Sequence, residues 1–69
     1  MNKNLFIERL KELLSKSEKN QTDICKELGI PKQRMSNWKS GYTEPDLDAI
    51  ISLAKYFSVT SDYLLGLED

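Results

Sequence analysis

The stretch NQTDICKELGIPKQRMSNWKSG, Asn20 to Gly41, holds two short helical patterns separated by three residues. Asn20 has the side-chain oxygen of an N-cap, and Asp23 places a negative charge in the first turn, where the helix dipole favours it. A helix is therefore predicted over Gln21 to Leu28. Gly29 ends it, because glycine takes the left-handed C′ conformation without penalty. Pro31 suits the first turn of the next helix, where its missing N–H is not needed. That helix is predicted to run to about Ser40 and to stop at Gly41.

Only Gly29, Ile30 and Pro31 join the two patterns. A link that short around a glycine forces a large angle between two helices, the helix-turn-helix arrangement. Upstream, Phe6, Leu10, Leu13 and Leu14 follow i, i+4, i+7, i+8, which predicts an amphipathic helix over roughly Asn4 to Ser17. Downstream, Asp46 follows Pro45 as the cap of a fourth helix, with Leu47, Ile50, Ile51, Leu53, Ala54 and Phe57 as a broad apolar face. Thr60 caps a short fifth helix ending at Leu65. No segment alternates as a strand does, so an all-α domain of five short helices is expected over residues 1–69.

The composition narrows the function. A chain of 69 residues makes one small core supplying roughly 3–5 kcal/mol net, so good helix packing or oligomerisation is expected to assist it. A lone cysteine, Cys25, and the absence of histidine exclude a disulfide framework and a Cys/His zinc site. No cofactor, metal or catalytic constellation is indicated. No segment has the length and apolarity of a membrane span, and MNKNLFIERL lacks the apolar centre of a signal peptide. A soluble cytoplasmic domain is expected.

The net charge of −1 conceals a division. Residues 1–43 carry nine Lys/Arg and five Asp/Glu, hence +4, while residues 44–69 carry one lysine and six acids, hence −5. From Gly29 to Thr43 there is no acid at all. Such polarity can steer a polyanion to one face of a nearly neutral molecule.

On a wheel of about 100° per residue, with Gln33 at zero, Met35 and Trp38 fall together on the far side. Gln33, Ser36, Asn37 and Ser40 fall on the near side. Lys32 and Lys39 lie on one flank and Arg34 on the other. Trp38 and Met35 are thus assigned to the core, and Trp38 to packing rather than to an exposed stacking surface. The outer stripe is amide and hydroxyl, flanked by cations. Gln and Asn can pair bidentately with adenine in the major groove, and Lys can donate to guanine. Flanking cations neutralise phosphates without reading sequence. The competing reading is a solvated helix face, which more often carries Glu–Lys pairs.

The ordered residues Asn20-Gln21, Ile24-Cys25, Leu28-Gly29-Ile30, Met35-Ser36-Asn37-Trp38, Gly41, Pro45, Leu53-Ala54 and Val59-Thr60-Ser61-Asp62-Tyr63-Leu64-Leu65 resemble the helix-turn-helix domain of phage repressor and Cro proteins (XRE-like). The resemblance runs from about Phe6 to Leu67 and implies a compact fold of the lambda-repressor type. It places Lys32, Gln33, Ser36 and Asn37 at base-reading positions. It places Asn20 and Gln21 at a phosphate-gripping helix start, a role also favoured by free N–H groups and the helix dipole. Ser40, Tyr42 and Thr43 would approach the backbone from the following loop, and Arg34 and Lys39 would contact phosphates from the flanks. Gln21 could equally be an ordinary helix-start residue, and Tyr42 a loop aromatic packed on its neighbours.

Two departures from the family pattern bear on the third helix. Lys39-Ser40 stands where members often have Glu-Asn, and Leu14 stands where some have the arginine that pairs with that glutamate. Pro31 stands where Ser or Thr commonly caps the recognition helix. Cys25 occupies a position usually held by alanine and is expected to be buried and chemically idle.

The resemblance implies a phage or bacterial repressor that occludes a promoter by binding a double-stranded operator as a homodimer, at least on DNA. Half-sites would lie about 34 Å apart. Tyr63, Leu64, Leu65 and Leu67 are the candidate dimer contacts, some of them needed to close the core. An ending just after the fifth helix suits a small Cro-like protein or the N-terminal domain of a longer repressor. The alternative is an antitoxin or other protein-interaction module that uses DNA binding for autoregulation. An enzyme is the weakest reading.

Overall fold

In the computed structural model, which describes residues 1–68, the chain forms five helices: α1 (Lys3–Lys16), α2 (Gln21–Leu28), α3 (Lys32–Ser40), α4 (Leu47–Phe57) and α5 (Ser61–Leu65). Four of the five starts are closed by side chains. Asn2, Asn20, Asp46 and Thr60 accept from the N–H groups of Leu5 (3.1 Å), Asp23 (2.8 Å), Ala49 (2.8 Å) and Tyr63 (3.0 Å). Each bond satisfies one of the donors that a helix N-terminus leaves free. The Asn2 cap moves α1 one residue upstream of the expected start.

The start of α3 differs from the expectation. Pro31 is the N-cap rather than a first-turn residue, with φ −60° and ψ 140° and no side-chain bond. Its carbonyl accepts from Arg34 (3.0 Å) and Met35 (3.2 Å). The first helical residue is therefore Lys32. Proline lacks a capping oxygen, but its fixed φ suits the extended backbone at this position.

The core gathers Phe6 and Leu10 of α1, Ile24 and Cys25 of α2, Met35 and Trp38 of α3, Ala49, Ile50, Leu53 and Ala54 of α4, and Leu64 of α5. Helix α1 packs on α3 and α5, α4 packs on α2 and α5, and α2 packs on α3. The turn after α2 holds Gly29 in the left-handed region (φ 70°), and the Ile30 N–H returns to the Cys25 carbonyl at 3.0 Å. Gly66 is required for space as well, because a Cβ there would lie 2.6 Å from the Asn2 Cβ. This close approach fastens the end of α5 to the start of α1, where the Asn2 N–H donates to the Leu65 carbonyl at 2.8 Å.

The apolar face of α4 is narrower than the sequence suggests. Leu47 is 71% exposed and Ile51 38%. They sit one turn apart on the outer side of the helix, while Ile50, Leu53 and Ala54 face inward.

Candidate nucleic-acid interface

Helix α3 is held by two large side chains. Met35 is fully buried and Trp38 is 2% exposed, so the expected anchors do face inward. That orientation turns Lys32, Gln33 and Ser36 outward, with Asn37 half-buried at the edge of the same face. The two amides are joined: Gln33 Nε2 donates to Asn37 Oδ1 at 2.9 Å. Side chains four apart on a helix are neighbours, so this bond needs no backbone adjustment.

The C-terminal end of α3 is locked by the Asn37 carbonyl. It accepts from the Tyr42 N–H (2.9 Å) and the Ser40 hydroxyl (3.1 Å). Gly41 takes the left-handed turn that brings the chain back. Tyr42, 81% exposed, projects from this turn rather than packing on its neighbours, and Thr43 beside it is also exposed. Arg34 lines a shallow cleft with Asn37, Trp38, Thr43, Glu44 and Asp46. The acids of the loop therefore border one edge of the cationic face.

On the opposite flank, Lys39 Nζ donates to Gln21 Oε1 at 2.6 Å. This contact joins α3 to the start of α2 beside Leu14. Lys11, Leu14, Ser15, Gln21 and Lys39 line one shallow depression. Nζ keeps two further N–H groups, and the Gln21 amide keeps both of its donors. Asn20 has its oxygen engaged as the α2 cap. Lys11 was not among the sequence candidates, although its i, i+3 spacing to Leu14 could have placed it on this side.

The candidate dimer contacts separate by environment. Leu64 is fully buried and closes the core, so it offers no surface, whereas Leu67 is 66% exposed. Leu65 is half-buried. The half-buried Tyr63 ring lies beneath the Arg9 guanidinium, 4.2 Å from its centroid. Arg9 also donates to the carbonyls of Tyr63 and Glu68, the latter at 2.7 Å. Nothing local in the sequence announces this anchor, which joins α1 to the end of α5.

Cys25 is buried, and burial pushes its thiol pKa up against the opposing pull of Lys32 and Lys39. A protonated, enclosed thiol is a poor nucleophile. Among the described residues no group of three His, Cys, Asp or Glu is placed to hold a metal, and no helix is long and apolar enough to cross a membrane.

A family profile described as helix-turn-helix matches residues 10–64, taking in both α2 and α3. The chain belongs to the helix-turn-helix family. Related proteins are named as transcriptional regulators rather than enzymes. The regulator ImmR of Bacillus subtilis is 34% identical over 61 residues, covering 88% of this chain and 48% of that protein. AnsR of the same organism is 39% identical over 62 residues, covering 90% of this chain and 53% of that protein. Repressor protein C2 of Salmonella phage P22 is 31% identical over 65 residues, covering 94% and 30%. The helix-turn-helix chain thus spans about half the length, or less, of these relatives. The fold is matched by the solution structure of the SOS-response repressor LexA from Eubacterium rectale, with a TM-score of 0.84 and 34% identity over 97% of this chain and 69% of that one.

Proposed function

We propose that residues 1–69 form one DNA-binding domain that reads a double-stranded operator through α3 and represses transcription by occluding a promoter. The observation that carries this reading is the outward face of α3, where Gln33, Ser36 and Asn37 lie between cations and no acid occurs from Gly29 to Thr43. Lys32, Gln33, Ser36 and Asn37 are the base readers. Asn20, Gln21, Arg34, Lys39, Ser40, Tyr42 and Thr43 hold phosphates on either side of the groove. The repressor role is supported by the likeness to repressor protein C2, and a cytoplasmic location follows from the role.

Two copies are proposed to bind adjacent half-sites, because one domain of this size makes few base contacts. With Leu64 in the core and the Tyr63 ring covered by Arg9, Leu65 and Leu67 are what remains of the α5 end for a two-fold contact. Sedimentation with and without operator tests this part: a complex of one chain per operator defeats it.

The decisive experiment is equilibrium binding to selected and random duplexes over a range of salt. Affinity should fall linearly with salt on logarithmic axes, and selected DNA should be preferred by about a thousandfold or more. Affinity that ignores salt would defeat the DNA reading. It would favour the alternative of an antitoxin-like protein-interaction module, which the exposed Leu47 and Ile51 of α4 support.

A further inference from the structure

We propose that Lys11 of α1, Gln21 of α2 and Lys39 of α3 form a single oxyanion site that closes on one phosphate of the DNA backbone. The inference rests on the DNA-binding reading, in which Gln21 and Lys39 hold phosphates separately, and deepens it in two ways. It brings α1 into the grip through Lys11. It also makes Lys39 the residue that positions the Gln21 amide.

The coupling follows from what the two side chains are able to exchange. A lysine ammonium only donates, so the Gln21 atom that it meets at 2.6 Å is the carbonyl oxygen. That settles the amide: Oε1 is turned to Lys39, and Nε2 keeps both N–H donors for another acceptor. Among the described residues Nε2 has no hydrogen-bond partner. Both residues are half-buried, so their bond is screened less than a pair on the open surface. A charge-assisted bond of this kind holds the amide in one place before any ligand arrives.

Lys11 and Lys39 line one depression with Gln21, Leu14 and Ser15. Ser15 gives its hydroxyl proton to the Glu12 carbonyl at 2.9 Å, and the Glu12 carboxylate is paired with Lys16 at 2.6 Å. No carboxylate lines the depression. Among the described residues, neither Lys11 nor Lys39 makes an ion pair. Like charges around one hollow repel unless an anion lies between them. A phosphodiester is such an anion, with one negative charge shared by two non-bridging oxygens that accept several hydrogen bonds. Lysine is a compact donor on a flexible stem, so two of them adapt to one phosphate from different helices. The half-buried Leu14 supplies an apolar wall, beside which such bonds are strengthened.

The test uses the 69-residue chain with random and selected duplexes over a range of salt. Lys11→Ala should weaken both duplexes alike, by about tenfold, and flatten the salt slope by about one unit. Lys11→Arg should keep the wild-type slope. Lys16→Ala, on the same helix but paired with Glu12, should also keep it. Gln21→Ala should weaken both duplexes about fivefold without changing the slope, since the amide is uncharged. In a Lys39→Ala background the same change should cost less than about twofold, because the released amide must give up rotamer freedom to bind. In nuclear magnetic resonance spectra, the Gln21 side-chain amide signals should move on adding inorganic phosphate or duplex. Movement with inorganic phosphate supports a site that takes the free oxyanion as well, and movement with duplex alone supports one confined to the backbone. Stationary signals with both, a wild-type slope in Lys11→Ala, or the full Gln21 loss in the Lys39→Ala background overturns the joint site while leaving DNA recognition standing. A wild type whose affinity ignores salt overturns both.

Discussion

Helices α3 and α4 are of similar length and lie on the same core, yet their outward faces have opposite characters. Helix α3 buries only Met35 and Trp38, whereas α4 buries Ala49, Ile50, Leu53 and Ala54. Two large anchors leave most of α3 free, and its free residues are polar or cationic without an acid. The outward residues of α4 are Leu47, Asp48, Ile51, Ser52 and Lys55, a mixture of apolar and charged groups with no cationic excess. A helix proposed to read DNA need contribute little to the core, provided its few anchors are large. The structural helix packs with smaller residues over a wider arc.

The harshest way to break this comparison is to remove an anchor. Trp38→Ala should cost about 3–5 kcal/mol, as much as a domain of this size holds in all. No cooperative thermal transition should remain in far-UV circular dichroism. Leu53→Ala, at about 2–5 kcal/mol, should do similar damage from α4. A Trp38→Ala variant that still melts cooperatively near the wild-type midpoint would show that α3 does not depend on its anchor.

A smaller intervention separates the two outward faces. Arg34→Ala and Lys39→Ala should weaken selected and random DNA alike and flatten the salt slope by about one unit each. Lys55→Ala on α4 should leave both affinities and the slope unchanged. Equal losses from Lys55 and Arg34 would mean that the charge of the whole molecule, rather than the α3 face, holds the DNA. Smaller again is the expected effect of Leu47→Ser combined with Ile51→Ser. Exposed positions of this kind usually change stability by less than about 0.5 kcal/mol each. If the wild-type midpoint rises with protein concentration and the variant's does not, α4 is a contact surface after all.

Much of this contrast is legible in the sequence, for reasons that are local. Asn20, Asp46 and Thr60 announce helix starts because a capping oxygen bonds to an N–H three residues on, within one turn of chain. The helical wheel places Met35 and Trp38 opposite Gln33, Ser36 and Asn37 because successive residues turn by a fixed angle. Distant arrangements are less legible. Leu47 and Ile51 look like core because apolarity alone does not say whether another helix lies opposite. The anchor from Arg9 to Tyr63 joins residues 54 apart, and the bond from Lys39 to Gln21 joins residues 18 apart. No pattern along the chain predicts either. The exchange of the family's Glu for Lys39 showed that the usual ion pair was missing, but not that Gln21 would take its place. The Gln33–Asn37 bond is an intermediate case. Its i, i+4 spacing is visible along the chain, but that the two amides meet required the fold.

The smallest effect concerns a cluster remote from α3. Glu27 of α2 accepts from Lys19 Nζ at 2.5 Å and from the Tyr56 hydroxyl of α4. The Lys19 bond first, and then the Tyr56 bond, hold the Glu27 carboxyl below its ordinary pKa of 4.5, while the same contacts raise Lys19 and Tyr56 above theirs. A carboxyl lowered on folding contributes stability above its unfolded pKa and loses it as pH falls through the lowered value. A lysine or tyrosine raised on folding contributes below its unfolded pKa and loses it as pH rises through the raised value. The cluster is therefore intact from about pH 4.5 to about pH 10 and weakens on either side. All three groups are solvent-accessible, so water and salt screen the effect to a minor one. Glu27→Gln should lower the melting midpoint slightly at neutral pH and flatten the decline on the acid side, without altering DNA affinity. A variant whose acid limb matches the wild type would show that the cluster adds nothing to the tie between α2 and α4, leaving the burial of Ile24 and Leu53 to hold those helices together.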